Sequence, residues 1–457
     1  VTGDGESALE LAERALRFAT GEAQATVVHE RSLLSRFAVS RPTQATFVDD
    51  TGVSILRVHD GHTGSAETND LTDAGLRDAA ARADAAARAA ARAADAPGDY
   101  PGLPEPAPTR PHHGFDAATA ALDPTVAGAA LGGAFDGCAR HGLDAFGAWT
   151  AGAVETAIAS SAGVRVSDAV TDAYMKVIAR DPDGRSGWAA GAGTSQAAID
   201  PDALAARAAS KVTREPPVEI EPGEYTVVLE HDAVGTLLEF LGFLAFNGLA
   251  HAEGRGALAG RLGQRVAASA INLADSPRLH RTLPRAFDFE GVPKAPLPLI
   301  QDGVAHAVVH DMRSAARAGT RSTGHALAPG GAPFGPVPTN LVLIGGGAAD
   351  EAELMAPVER GIYVTRLWYV NVVHEKSALL TGTTRDGTFL IEDGRLGRPI
   401  KDVRFTDSAL RLLEATEALT AEQRLVAEAE FYGRRFATGV VTPALRARGF
   451  RITGQTV

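Results

Sequence analysis

The run Tyr225-Thr226-Val227-Val228-Leu229-Glu230-His231-Asp232-Ala233-Val234-Gly235-Thr236-Leu237-Leu238-Glu239-Phe240-Leu241 decides the reading of this 457-residue chain. Its first five residues are aromatic, β-branched or aliphatic and read as a strand. From Ala233 onward the apolar residues recur at helical spacing. The run therefore predicts a strand that feeds directly into a buried helix, with Glu230, His231 and Asp232 at the junction.

Such a junction is a place for metal chemistry. A His-Glu pair on a helix supplies one zinc ligand and one general base, and a second His about one turn on completes the grip. Here the first His is His231 and the acid is Asp232, one methylene shorter than Glu. The two spacings open to the second imidazole hold Gly235 and Thr236. Glycine offers no side-chain ligand, and a neutral hydroxyl is a poor one. The run thus has the outline of a metallopeptidase helix from which the metal chemistry is missing. On the bland reading His231 is a structural histidine.

Working outward, Pro216-Pro217 and Pro222-Gly223 mark a boundary upstream of the strand. Two domains are expected, 1–214 and 215–457. Before the boundary, residues 6–18 and 71–94 read as helices, the second capped by Thr72. Short meander strands are expected at 25–29, 35–39, 45–48 and 53–58, with a hairpin turn at Asp60-Gly61. A helix at 126–141 carries Cys138 into the core. Longer strands fill 144–166, with two more at 173–179 and 187–190, and a helix follows at 202–211. His112-His113 lies in a Pro-rich loop and reads as a solvated pair.

After the helix at the junction, residues 247–263 are Gly-rich and polar and are expected to form a mobile surface loop. Residues 303–310 alternate like a strand, which would put His306 and His310 on one face. Residues 315–338 form a long Gly/Pro/Ser loop, and loops of that length are usually functional or disordered. Strands are expected at 340–344, 361–373, 377–391 and 451–454, and a helix over 408–430. The class is mixed α/β (α+β): an N-terminal α/β domain of antiparallel strands and flanking helices, then a β-rich C-terminal domain holding the degenerate helix.

Composition narrows the partners. A net charge of −12 argues against nucleic acid, which needs a basic face. The most apolar stretch, 240–250, is interrupted by Asn247 and too short for a bilayer, so no membrane span is read. Residues 1–5 show no basic or apolar signal region, and the cytoplasm is the expected location. A single cysteine excludes an intramolecular disulfide and a multi-Cys zinc site.

Several separate stretches then carry a resemblance. They are Ser32-Leu33-Leu34-Ser35-Arg36-Phe37-Ala38, Ser65-Ala66-Glu67-Thr68-Asn69-Asp70-Leu71, Gly263-Gln264-Arg265-Val266, Phe287-Asp288-Phe289-Glu290-Gly291-Val292 and Ser322-Thr323-Gly324-His325-Ala326. Leu390-Ile391-Glu392-Asp393-Gly394 and Ile452-Thr453-Gly454-Gln455 complete the set. On these the chain resembles the PmbA/TldE branch of the TldD/PmbA metallopeptidase family. The resemblance implies a heterodimeric peptidase that takes short or unfolded peptides into an enclosed cavity. Its active TldD-type subunit carries a His-Glu-x-x-x-His helix and a late cysteine as third zinc ligand. The matching positions here are His231, Asp232 and Thr236, and no cysteine follows Cys138.

What the resemblance implies is therefore a partner role. This chain would hold no cofactor, zinc would sit in a TldD-like catalytic subunit, and the peptide substrate would be met by a cavity that both subunits form. Candidate cavity residues are His251, Arg255, Arg321, Ser322, Thr323, His325 and Asn340. Two other readings stand beside this one. In the first the chain is an enzyme in its own right, with a rearranged metal set such as His231 with His251 or His325. In the second it is a homo-oligomeric peptide-binding protein.

Overall fold

The computed structural model describes residues 6–427 and 433–455. The first sheet is antiparallel throughout and runs in the order β3-β2-β1-β4-β5-β6. Its strands are β1 (Ala23–Ala38), β2 (Arg41–His59), β3 (His62–Thr68), β4 (Asp144–Ser160), β5 (Arg165–Arg180) and β6 (Ser186–Gly193). The short strands expected before residue 60 are in fact two long ones. Their polar middles do not break the ladder, because cross-strand pairs satisfy them: Arg31 lies opposite Asp49, and His29 Nε2 stands 3.1 Å from the same carboxylate. The hairpin turn at Asp60-Gly61 is present, with both residues at positive φ as a tight two-residue turn requires.

Helices cover one face of this sheet. α1 (Ala8–Leu16) starts at a Ser7/Glu10 capping box, and α2 (Asp73–Ala93) at Thr72, whose hydroxyl accepts the Gly75 N–H. They bury Leu11, Ala15, Leu76 and Ala83 against Val27, Val53 and Ile55. After the short α3 (Ala117–Ala120), α4 (Pro124–Ala139) and α5 (Pro201–Ala209) pack on β4, β5 and β6 around Trp149 and Met175. Cys138 is buried in that cluster, as the sequence implied.

The rest of the chain builds two further sheets. Its helices are α6 (His231–Leu244), α7 (Gly248–Ala252), α8 (Met312–Ala318), α9 (Glu351–Met355) and α10 (Ala409–Glu414). The strands are β7 (Gly223–Leu229), β8 (Leu273–Asp275), β9 (Leu297–Gln301), β10 (Val304–Ala305), β11 (Asn340–Leu343), β12 (Arg360–His374) and β13 (Leu379–Glu392). Then come β14 (Arg395–Pro399), β15 (Val403–Ser408), β16 (Thr416–Leu419), β17 (Arg424–Val426), β18 (Gly439–Thr442) and β19 (Leu445–Gln455).

One sheet has the order β10-β9-β8-β11-β18-β17. In the other, β12 pairs with both β7 and β13, so β12-β7-β19-β15-β13 closes into a ring. Closure leaves those five strands without free edges. The strand–helix unit read from the sequence is β7 followed by α6. α6 lies between the ring and the other sheet, with Leu238 and Leu241 in the largest core. The mixed α+β class is the one expected. Among the described residues no helix is long and apolar enough to cross a membrane.

Three expectations fail locally. Residues 408–430 are not one helix: only α10 forms, and β16 and β17 follow, while residues 428–430 lie outside the described residues. Helix propensity there yields to pairing with β19 and β18. The strand expected over 303–310 is only Val304–Ala305, so no strand face carries His306 and His310 together. The stretch 247–263 is packed rather than loose. Asn247 caps α7 through the Ala250 N–H, and Leu249, Ala257 and Leu258 are buried.

Candidate functional site

Glu230 follows β7 and caps α6 by position, yet its side chain does not bond the helix. It turns instead into a buried cluster of cations and hydroxyls. Arg207 Nη2 reaches it at 2.6 Å, Lys211 Nζ at 2.9 Å and the Tyr363 hydroxyl at 2.6 Å. Burial pushes this carboxyl up, but Lys211 and Arg207 outweigh burial and hold it down at about 2. Lys211 also donates to the Trp188 carbonyl at 2.8 Å. The start of α6 is therefore anchored by charges from α5 and the residues just after it.

The motif residues follow on the first turn. His231 is buried, and its Nδ1 stands 3.7 Å from Glu351 Oε1, beyond hydrogen-bond reach. Neither ring nitrogen has a hydrogen-bond partner. Burial lowers its pKa, which keeps the ring neutral near pH 7. Burial raises the Asp232 carboxyl. Thr236 spends its hydroxyl on the Asp232 carbonyl one turn back, at 3.0 Å. Gly235 faces β17 closely: a Cβ there would lie 2.7 Å from Val426.

These donors do not fit a three-ligand zinc centre. One imidazole is present, the next position on the same face is filled by Val426, and the Thr236 hydroxyl is engaged. The single thiol, Cys138, belongs to the α4 core. No group of three or more His, Cys, Asp or Glu is placed to hold a metal ion among the described residues.

The outer face of α6 borders open space. A cavity of about 170 Å³ is lined by Gly235, Thr236, Phe243, Leu327, Val426 and Phe436. It meets a groove of about 450 Å³ walled by Thr236, Phe243, Trp368 and Tyr369. On its other side Leu327 and Phe436 also line a hollow of about 370 Å³, whose far wall is Thr26, Val28 and Ser54 of the first sheet. The three spaces form a row of neighbours that share Thr236 and Phe243 on one side and Leu327 and Phe436 on the other, from β12, past the motif face, to β1 and β2 of the first sheet. The long loop after α8 supplies Pro329, Phe334 and Val337 to its walls.

The other residues singled out by sequence divide into two groups. Thr323, His325 and Asn340 converge on Asp275. Its Oδ1 accepts the Thr339 and Asn340 N–H groups at 2.9 and 2.7 Å, and its Oδ2 stands 3.0 Å from His325 Nε2 and 3.4 Å from Lys294. Burial alone would raise the Asp275 carboxyl, but Lys294 and His325 bring it well below the usual range. Thr323 Oγ1 pairs with His325 Nδ1 at 2.9 Å, and Ser322 bonds the His310 carbonyl. Asn340 Nδ2 donates to the Leu283 carbonyl.

His251 sits apart on α7, Arg255 pairs with Glu253 and Glu375 on the surface, and Arg321 is exposed. The His112-His113 pair is split, contrary to expectation: His113 is exposed, while the His112 ring is buried 2.9 Å from Asp168. Sequence reasoning did not find Glu230, Lys211, Asp275 or Arg435. For Glu230 and Asp275 the available signal was a charged residue at the close of an apolar strand; Lys211 and Arg435 lie outside strands and carried no such signal.

The profile of the PmbA/TldA metallopeptidase C-terminal domain matches residues 222–454, and that of PmbA/TldA metallopeptidase domain 1 matches residues 23–91. A metalloprotease of Methanothermobacter thermautotrophicus is 25% identical over 205 residues, 44% of each chain. A metalloprotease TldD homolog of Haemophilus influenzae is 25% identical over 233 residues, 50% of this chain and 46% of that one. The chain thus spans less than half the length of these relatives. The crystal structure of TldE from Thermococcus kodakarensis superposes with a TM-score of 0.83 over 98% of this chain and all of that one, at 21% identity, so the fold is shared. With one profile covering half the chain and a second covering part of its first sheet, the chain belongs to the PmbA/TldD metallopeptidase family.

Proposed function

We propose that this chain is a TldE-type, metal-free subunit of a two-subunit peptidase, which shapes the space that receives short or unfolded peptides. The catalytic zinc then resides in a TldD-type partner. The observation that carries this reading is the first turn of α6: position 236, where the second imidazole would stand, holds a threonine whose hydroxyl is donated to the Asp232 carbonyl, and Val426 fills the room at the alternative position 235. The acid is Asp232, one methylene shorter than the Glu that would serve as general base, and Thr236 is committed to its own helix. The run of cavities beside that turn supports the cavity role. It is walled mostly by apolar side chains, which suits an extended peptide held through its backbone.

The test is to purify the chain alone and after co-expression with a TldD-type subunit. Alone, it should retain well under one zinc per chain after dialysis and cleave no unfolded peptide. Together, the two should co-elute and show chelator-sensitive peptidase activity. One zinc per chain with activity in the isolated protein would overturn the proposal. It would favour the rearranged metal set, to which His231 brings two ring nitrogens with no hydrogen-bond partner.

A further inference from the structure

Arg285 is only 9% exposed, yet it forms no salt bridge with any described carboxylate. Its Nη2 donates to the Ala437 carbonyl at 3.0 Å, its guanidinium lies 3.9 Å over the Phe436 ring, and its Nε has no partner. The nearby acids are already engaged. Asp168 accepts from Ala286 N at 2.7 Å and pairs with His112, and Asp172 takes both arms of the Arg435 guanidinium. Asp288 accepts the N–H groups of Glu290, Val292 and Ala326. Arg278, whose strongest electrostatic neighbour is also Asp168, likewise has two nitrogens without partners. Burial lowers the Arg285 pKa to about 10, so it stays charged at pH 7. Asp168 and Asp172 attract Arg285 from a distance, but no described carboxylate touches it, and a buried guanidinium with an open nitrogen is able to take an anion from outside.

The space at Arg285 fits that requirement. A cavity of about 20 Å³, room for a single small group, lies among Arg285, Lys294, His325 and Phe436, with the already engaged carboxylates of Asp168 and Asp288 also in its wall. Phe436 is also a wall of the 170 and 370 Å³ cavities, so one ring separates Arg285 from the larger run. We infer that Arg285 is a carboxylate-binding subsite that receives a carboxylate of a peptide lying in that run, with Phe436 as the ring that turns aside. A guanidinium offers the planar, two-pronged donor that a carboxylate matches. The inference rests on the reading that the run of cavities takes peptides. It does not depend on the TldD-type partner.

The experiment uses the full chain and a fluorescently labelled Ala-rich hexapeptide in three forms: free acid, C-terminal amide, and amide with one internal Glu. Fluorescence anisotropy should show the free acid binding roughly tenfold tighter than the plain amide, equivalent to about 1.4 kcal/mol. That preference should vanish in Arg285→Gln and shrink in Arg285→Lys. If the Glu-containing amide matches the free acid, the subsite takes any peptide carboxylate; if it matches the plain amide, it takes the chain end. Either result supports the inference. Equal binding of all three forms to the wild-type chain overturns it while leaving the peptide reading intact. Binding of none of them sinks both. The wild-type comparison stands even if an Arg285 variant fails to fold.

Discussion

Replacing Glu230 with Gln tests how the start of α6 is held. The substitution keeps the shape and removes the charge that Lys211 and Arg207 surround. The carboxyl sits at about 2 in the fold against an ordinary 4.5, a gap worth about 3 kcal/mol at pH 7. Breaking a buried pair by removing one partner typically costs about 3–5 kcal/mol, which agrees. Because the folded value is the lower one, this contribution is complete above pH 4.5 and fades as pH falls towards 2. Urea unfolding followed by tryptophan fluorescence is the assay, since Trp188 takes the Lys211 ammonium on its carbonyl. Glu230→Gln should lose about 3 kcal/mol at pH 7 and progressively less at pH 4 and pH 3. The double variant Glu230→Gln/Lys211→Met should recover part of the loss, because it removes a stranded cation. A loss under about 1 kcal/mol at pH 7, or one that does not change with pH, would refute the ion-cluster account.

Two more outcomes follow at other buried positions. Burial, with Asp288 and Asp311 adding, raises the Glu290 carboxyl far above its usual range, so this group costs stability as pH rises; Glu290→Gln should unfold at higher urea than wild type at pH 8, with the gap narrowing towards pH 4. Gly235→His should destabilise the chain by about 1–3 kcal/mol through overpacking against Val426 and should not raise zinc uptake, as thermal unfolding and metal analysis would show.

The strand–helix unit at 225–241 was legible because its apolar residues are continuous in sequence and are satisfied locally. The capped start of α2 and the Asp60-Gly61 turn were legible for the same reason. The long first strands were not. Glu30 and Arg31 look like an interruption until Asp49 is seen across the ladder and Arg435 N–H is seen on Glu30. The α10–β17 region misled because Ala, Leu and Glu favour helix, while the partners that impose strand, β18 and β19, lie further along the chain. Of the candidate site, the altered motif was visible in residue identity alone. Its physical consequence, Val426 against Gly235, and the unpaired state of Arg285 exist only after residues far apart have been folded together.

Arg435 carries a consequence for biosynthesis. Its backbone N–H caps Glu30, its guanidinium clamps Asp172 and Thr150, and it passes so near Gly152 that a Cβ there would fall 2.3 Å away. Asp172 precedes it by 263 residues. At about 5–20 residues per second, the ribosome needs roughly 13–50 s between the two. For most of that interval, once β6 has followed, the first sheet is complete, yet Glu30 and Asp172 await the cation that pairs them. A ribosome that stalls within this window leaves a nascent chain with an acidic, half-covered sheet, the state that a chaperone or a protease would meet first.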